Sequence, residues 1–179
     1  IGKIEAAHAK QCAVSLTEKE VVTQARNYKL HIAIAPTKNI ERTEWFVEKA
    51  VEIGIDEISF IKCKNSERTV IKDDRLRKVA EAAVKQSQQA FIPKLNALID
   101  YKEFIKNNES DIKLIAHCEK ESKQHIKLYI NTNKSFTILI GPEGDFTKDE
   151  IALALSSSYL PVALGDSRLR TETAGIFAC

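Results

Sequence analysis

The chain has 179 residues, of which 44% are hydrophobic and 29% are charged, and its formal net charge is +2. This length supports one hydrophobic core plus a fragment, and no apolar run approaches the length of a membrane span. The near-neutral charge gives no whole-chain argument for nucleic-acid binding, so any such interaction must come from local clustering. The four cysteines are widely spaced and form no C-x-x-C pair, which predicts a reduced cytosolic protein without zinc or disulfides.

Residues 1–23 predict β structure, with short strand candidates at 12–16 and 21–22. The segment is too short to bury a core by itself. We therefore expect residues 1–25 to be the end of a larger β domain, and residues 26–179 to form a separate α/β domain.

Apolar strand signals and amphipathic helix signals alternate from Tyr28 onward. The predicted strands are Leu30–Ala35, Ile55–Ile61, Leu95–Ile99, Ile112–Ala116, Thr137–Ile140 and Leu160–Leu164. Four helices are predicted. The first begins at a cap at Thr37 or Asn39 and ends at Ile53, and the second begins at a cap at Asp73 and ends at Ser87. The third runs from Tyr101 to about Lys106, and the fourth begins with a capping box at Thr147–Glu150. This alternation predicts one α/β domain with a mainly parallel sheet.

One basic cluster spans Lys62 to Lys85, a stretch that contains eight lysines and arginines but only four aspartates and glutamates. Such a local excess attracts a phosphate backbone, although an ordinary solvated helix face has the same composition. We expect a core helix whose outer face and preceding loop meet RNA through Ser66, Arg68 and Arg75. His31 alternates with apolar neighbours in a strand, which favours a structural histidine.

Two polar loops that begin with glycine follow the last two predicted strands. Their sequences are GPEGDF at 141–146 and GDSRLRTETA at 165–174. Ligands of open α/β sheets bind outside the carboxyl ends of strands, and we expect these two strands to be neighbours, so the functional site is predicted here. The first loop lacks the Gly-Lys-Ser/Thr of a phosphate-binding loop, and its two carboxylates repel polyanions. For that loop alone, an ordinary turn before a capped helix is an equal alternative.

The two motifs together resemble the RsmE family of SPOUT-class RNA methyltransferases. The likeness covers most of the chain from about Leu30, with weaker matches at 41–45, 49–54, 66–68, 86–87 and Pro93. It implies S-adenosylmethionine-dependent methylation of uridine N3 in small-subunit (16S) ribosomal RNA, in the cytoplasm and without a metal. It also implies a SPOUT fold with a C-terminal trefoil knot, a homodimer with active sites at the interface, and a C-terminal helix that continues past Cys179. Residues 1–25 would be the remnant of a PUA-like β-barrel that helps to bind RNA.

The resemblance also implies site residues. Backbone groups of the two loops would bind the cofactor, at Ile140, Gly141, Pro142, Glu143, Gly144, Leu164, Gly165, Leu169, Arg170 and Thr171. Independently of the resemblance, His117 ends a third strand near the expected meeting point of the two loops, which predicts a wall of the cofactor pocket, with a catalytic base as the less favoured alternative. Arg170 would stabilise charge on the uracil carbonyl oxygens. Glu172 is either a base or a carboxylate that favours the helix dipole.

The chain departs from the family pattern at several positions. Arg168 stands where an aliphatic residue is usual, and it is a candidate RNA contact. Gln86 is either another RNA contact or a packing element, because Lys85 replaces a common glutamate before it. Asp145 replaces a frequent glycine in the first loop.

Two other functions stay open on sequence grounds. One is a non-catalytic module of the same fold that binds ribosomal RNA during ribosome assembly. The other is a different nucleotide-binding α/β enzyme that uses the first loop. The sequence leaves open which nucleotide is modified, and whether naked rRNA or the assembled small subunit is the substrate.

Overall fold

The structure is a computed structural model that describes residues 2–19, 21, 26–119, 123–129 and 133–179. Two antiparallel strands, β1 (Gly2–His8) and β2 (Gln11–Leu16), form an N-terminal hairpin whose side chains are all exposed. The predicted strand at 12–16 is confirmed, but its partner is β1. Val21 lies outside any strand, and Val22 lies outside the described residues. The relation of this hairpin to a PUA-like domain stays a prediction.

A seven-stranded sheet forms the centre of the α/β domain. Its strands are β3 (Lys29–Ile34), β4 (Glu57–Lys62), β5 (Lys94–Asp100), β6 (Ile112–Ala116), β7 (Gln124–His125), β8 (Ser135–Ile140) and β9 (Leu160–Ala163). Their order across the sheet is β5-β4-β3-β8-β6-β9-β7, and all the pairings are parallel. The α/β class and the mainly parallel sheet are therefore confirmed.

The order of the strands corrects one prediction. β8 and β9 are not neighbours, because β6 lies between them and pairs with both. β6 is an apolar strand, and it buries Leu114 and Ile115 in the middle of the sheet. β7, which the sequence did not predict, has only two residues and pairs with the outer side of β9.

Within the described ranges, five α-helices cover the two faces of the sheet. They are α1 (Ile40–Ile53), α2 (Asp73–Ser87), α3 (Tyr101–Asn107), α4 (Lys148–Ser156) and α5 (Thr171–Ala178), and a 3-10 turn spans Ile126–Tyr129. Asn39 caps α1, Gly54 ends it with a φ of 100°, and the capping box of α4 is present. The predicted cap of α2 is wrong by one residue: Lys72 occupies that position without a side-chain bond, and Asp73 begins the helix. At that position the Asp73 carboxylate can still favour the helix dipole.

Alternate residues of the central strands point into two separate cores. Ile32 and Ile34 of β3 pack with Phe46 of α1 and with α2 and α5, whereas Ala33 packs with Tyr101 of α3 and with α4. Helices α1, α2 and α5 therefore share one face of the sheet, and α3 and α4 share the other. None of the described helices is long and apolar enough to cross a membrane.

His31 has a structural role, and its burial leads us to expect that the stability of the protein depends on pH. Its Nε2 atom lies 2.8 Å from the Ser59 hydroxyl, and its ring meets Phe104 edge-on. Burial lowers the pKa of His31 below its ordinary value of 6.5, with Glu57 acting in the opposite direction. Because the unfolded chain then binds the proton more readily, the free energy of unfolding should fall as the pH drops below 6.5. Urea titrations between pH 5.5 and 7.5 should show a shallower loss for His31→Asn than for the wild type. Equal slopes would contradict this prediction.

Candidate functional site

A cleft of about 800 Å³ opens at the carboxyl edge of β8, β6 and β9. The loop after β8, the loop after β9 and the end of β6 form its walls, as expected for an open parallel sheet. Its lining consists of Arg42, 116–118, Lys123, 140–143, Asp145, 162–171 and Ala174. The two glycine loops therefore do converge, although β6 separates the strands that lead into them.

A buried hydrogen bond joins the two loops. The Thr171 hydroxyl, at the start of α5, donates to the carbonyl oxygen of Gly141 over 3.1 Å. A Cβ at Gly141 would lie 3.1 Å from the ring of Phe146, so the first loop has little room for a side chain there. The second motif thus fixes the position of the first, in addition to lining the cleft.

Asp145 connects the first loop to its surroundings. Its φ of 62° is left-handed, a backbone conformation that glycine adopts without strain. One carboxylate oxygen accepts the N–H of Cys118 at the end of β6 over 2.7 Å. The Asn65 amide donates to the carbonyl oxygen of Asp145 over 3.0 Å and to that of Gly144 over 3.2 Å. The bond from the Cys118 N–H to the Asp145 carboxylate is a contact that glycine at this position cannot make.

A buried carboxylate holds the β4–α2 loop, whose Asn65 contacts the first glycine loop. Glu150 in α4 accepts the N–H of Lys64 over 2.8 Å with one oxygen and the N–H of Thr147 over 2.8 Å with the other. These bonds hold the β4–α2 loop against α4. The sequence predicted the capping box but not this second contact, because Lys64 is distant along the chain.

All the predicted cofactor residues except Gly144 line the cleft. A Cβ at Gly144 would instead lie 3.2 Å from the Cβ of Asn65. Gly165 has a φ of 145°, and nothing lies within 4 Å of the point where its Cβ would be. A ligand can therefore approach the backbone closely at Gly165. His117 is buried in the cleft wall, and its carbonyl oxygen accepts from Lys123 Nζ over 2.5 Å.

The two predicted catalytic residues occupy different environments. Arg170 is the exposed N-cap residue of α5 and lines the cleft. Glu172 is 8% exposed and does not line it. One Glu172 oxygen lies 3.8 Å from Arg42 Nε, and the other is buried without a hydrogen-bond partner among the described residues. The position of Glu172 in the first turn of α5 suits a carboxylate that favours the helix dipole.

Internal contacts engage two of the five predicted RNA-binding residues, Ser66 and Arg68. The Ser66 hydroxyl accepts the N–H of Cys63 over 3.0 Å. The Arg68 guanidinium donates to the carbonyl oxygens of Thr37 and Lys38 over 3.0 and 2.6 Å.

The remaining three predicted RNA-binding residues differ in their contacts and in whether they line the cleft. Arg75 forms an ion pair with Glu44, with an Nη2–Oε2 distance of 2.9 Å. Gln86 is exposed near the end of α2 and does not line the cleft. Arg168 does line it.

The sequence reasoning missed Arg42 and Lys123, which also line the cleft. A signal for Arg42 existed. It lies in the first turn of α1, the helix that follows β3, and the carboxyl end of β3 is at the same sheet edge as the two loops. No group of three or more histidine, cysteine, aspartate or glutamate side chains that could hold a metal ion occurs among the described residues.

Comparisons with known proteins show the family of this chain. The family model of the RNA methyltransferase domain matches residues 24–179. Ribosomal RNA small subunit methyltransferase E of Mesomycoplasma hyopneumoniae is 34% identical over 154 residues, which cover 83% of this chain and 65% of the relative. The enzyme of the same name from Buchnera aphidicola is 30% identical, with 83% and 60% covered. The chain thus spans less than two thirds of the length of these curated relatives.

Solved structures show the same similarity. A probable rRNA-methyltransferase from Porphyromonas gingivalis is 41% identical with a TM-score of 0.93, covering 99% of this chain and 76% of that one. A Legionella pneumophila protein solved with the bound cofactor SAM is 28% identical with a TM-score of 0.89, covering 99% and 74%. The chain therefore belongs to the RNA methyltransferase domain family and, within it, to the RsmE family.

Proposed function

We propose that this protein transfers a methyl group from S-adenosylmethionine to N3 of a uridine in small-subunit (16S) ribosomal RNA. The main support is the cleft in which Thr171 links the two glycine loops across the carboxyl edge of the sheet. The Legionella protein solved with SAM supports the cofactor. The names of the curated relatives support ribosomal RNA as the substrate, and the two motifs support the N3 position.

The residues of the cleft fit the proposed cofactor. Pro142, Ile140, Leu164 and Leu169 give apolar walls for a nucleoside, while the open backbone at Gly165 admits close polar contact. When bound, S-adenosylmethionine supplies an electrophilic methyl group on a sulfonium. The contribution of the chain is then mainly to align two reactants and to exclude water.

Within the proposal, Arg170 is the catalytic residue. Uracil N3 becomes nucleophilic when its proton passes to solvent water, and negative charge then develops on the flanking carbonyl oxygens. An exposed guanidinium on the cleft wall can stabilise that charge. The Glu172 side chain is too buried to reach a nucleobase in the cleft, so we do not assign it as the proton acceptor. We assign it instead to the stability of the α5 N-terminus.

The wider setting is part of the same proposal. We propose a cytoplasmic homodimer with a trefoil knot, acting on the rRNA or on the assembled small subunit. Trp45 of α1 and Phe177 of α5 support a dimer, because their large side chains are 42% and 48% exposed on helices that pack together. Sedimentation equilibrium of the protein would test this assembly.

Calorimetric titration with S-adenosylmethionine and with ATP tests the function directly. We expect saturable binding of S-adenosylmethionine and no heat from ATP. With unmodified small ribosomal subunits, nucleoside mass spectrometry should then detect 3-methyluridine. Binding of ATP alone would support another nucleotide-binding enzyme, and binding of rRNA without any response to the cofactor would support a non-catalytic module. Either result would overturn the proposal.

Replacement of Asp145 should weaken cofactor binding. Asp145→Gly suits the left-handed backbone but removes the acceptor for the Cys118 N–H, so the first loop is no longer tied to β6. We expect the Kd for S-adenosylmethionine to rise about tenfold, equivalent to about 1.4 kcal/mol. Asp145→Asn retains an acceptor oxygen and should bind within about threefold of the wild type. If glycine binds as tightly as asparagine, this role of the carboxylate is wrong.

A further inference from the structure

Arg42 is the only residue of α1 that lines the cleft as the structure describes it. The other described lining residues come from the ends of β6, β8 and β9, from the loops that follow them and from the start of α5. Arg42 therefore stands on the rim, next to the cleft that the two loops form. Its side chain is 41% exposed, so its guanidinium is accessible to a large ligand.

A buried carboxylate holds the Arg42 side chain. The distance from Arg42 Nε to Glu172 Oε1 is 3.8 Å, an ion-pair distance that is too long for a hydrogen bond. The N–H groups of the guanidinium therefore remain available as donors within the described part of the chain. The Glu172 side chain is only 10% exposed, and its charge attracts Arg42 from a fixed position at the base of α5.

Two other arginines that were expected from the sequence to contact RNA do not line the cleft. Arg68 donates to two carbonyl oxygens, and Arg75 pairs with Glu44. Arg168 and Arg170 line the cleft together with Arg42. Among the described residues, Arg42 is the one of these three whose guanidinium lies within ion-pair distance of a buried carboxylate.

We propose that Arg42 binds a backbone phosphate of the RNA beside the reacting uridine, and that Glu172 positions it. This inference rests on the proposed function, because it assumes RNA in the cleft. A guanidinium binds the phosphate oxygens through two parallel N–H bonds, a geometry that a rim residue can offer to a solvated polyanion. Phosphate contacts fix the register of a nucleic acid, so Arg42 would place the uridine base against Arg170.

The salt dependence of RNA binding tests this assignment. We would measure the affinity for 16S rRNA transcribed in vitro over a series of NaCl concentrations, for the wild type, Arg42→Gln and Arg42→Lys. Loss of one phosphate contact should reduce the slope of log K against log salt by about 0.7 to 0.9 in Arg42→Gln. Arg42→Lys keeps the charge and should keep the slope. Lys102→Gln removes an exposed charge on α3, across the sheet, and serves as the matched control.

Kinetics and a double-mutant cycle complete the test. Arg42→Gln should raise the KM for unmodified small subunits about tenfold, with kcat within about threefold and the Kd for S-adenosylmethionine unchanged. Glu172→Gln as a single substitution should also raise the KM. In the Arg42→Gln background it should raise the KM little further, because the two residues act as a unit. A merely structural role would change the unfolding midpoint of Arg42→Gln and leave the salt slope alone.

Three results would overturn the assignment. They are an unchanged salt slope in Arg42→Gln, a weaker affinity for S-adenosylmethionine with normal RNA binding, and a lower kcat at normal KM. Failure of the proposed function is distinguishable, because it would appear in the wild type as an absence of 3-methyluridine. The salt slopes of the variants would still report whether Arg42 touches a phosphate.

Discussion

Arg170→Ala should lower the rate of methyl transfer by about 100- to 1,000-fold, the effect of removing one donor that stabilises charge in a transition state. The side chain is exposed at the N-cap of α5 and makes no capping hydrogen bond, so its loss should cost little stability. Alanine retains the backbone carbonyl that accepts the N–H of Ala174 over 2.7 Å. The start of α5 should therefore stay in place.

Single-turnover rates at saturating S-adenosylmethionine and small subunits measure this effect. Arg168→Ala is a matched control, since Arg168 lies two residues away and lines the same cleft. We expect it to raise KM and to leave the single-turnover rate within about threefold. A rate for Arg170→Ala close to that of Arg168→Ala would remove Arg170 from the chemistry.

The second large effect concerns stability. Gly175→Val should lower the free energy of unfolding by about 3 kcal/mol, because it overfills a packed contact. A Cβ at Gly175 would lie 2.6 Å from the ring of Phe46 and 3.0 Å from Ile34 Cδ1. Both side chains are at most 2% exposed, so neither has space to retreat. Helix α5 can approach α1 this closely only with glycine at 175.

Urea denaturation measures the loss, and two variants control it. Thr173→Val places a β-branched apolar side chain at an exposed position of the same helix, and it should change stability by less than about 0.5 kcal/mol. Phe46→Leu in the Gly175→Val background makes room and should recover part of the loss. Wild-type stability for Gly175→Val would mean that α5 does not pack on α1 as described.

The sequence predicted most local features because the signals that produce them are local. Asn39 and Gly54 define the ends of α1 through side-chain and backbone chemistry within one turn. The capping box at Thr147 is likewise contained in four residues. The position of the cleft followed from two loops at strand ends, which is a property of any open parallel sheet.

The remaining features depend on partners that are distant along the chain. The insertion of β6 between β8 and β9 depends on the three-dimensional order of the strands, on which hydrophobic pattern gives no information. A charge count could not show that Glu44 pairs with Arg75, 31 positions away. It also could not show that Arg42 reaches the cleft rim while Glu172 turns away from the cleft.

The place of β9 in the sheet has a consequence for how the molecule forms. β9 pairs on one side with β6 and on the other with β7, and both of these are made before it during synthesis. Such non-local pairing makes folding slow, since the chain must close long loops before the contacts stabilise it. Until residues 160–171 arrive, one wall of the cleft and the Thr171–Gly141 bond are missing. A chain that has been synthesised only as far as residue 159 therefore lacks the complete cleft.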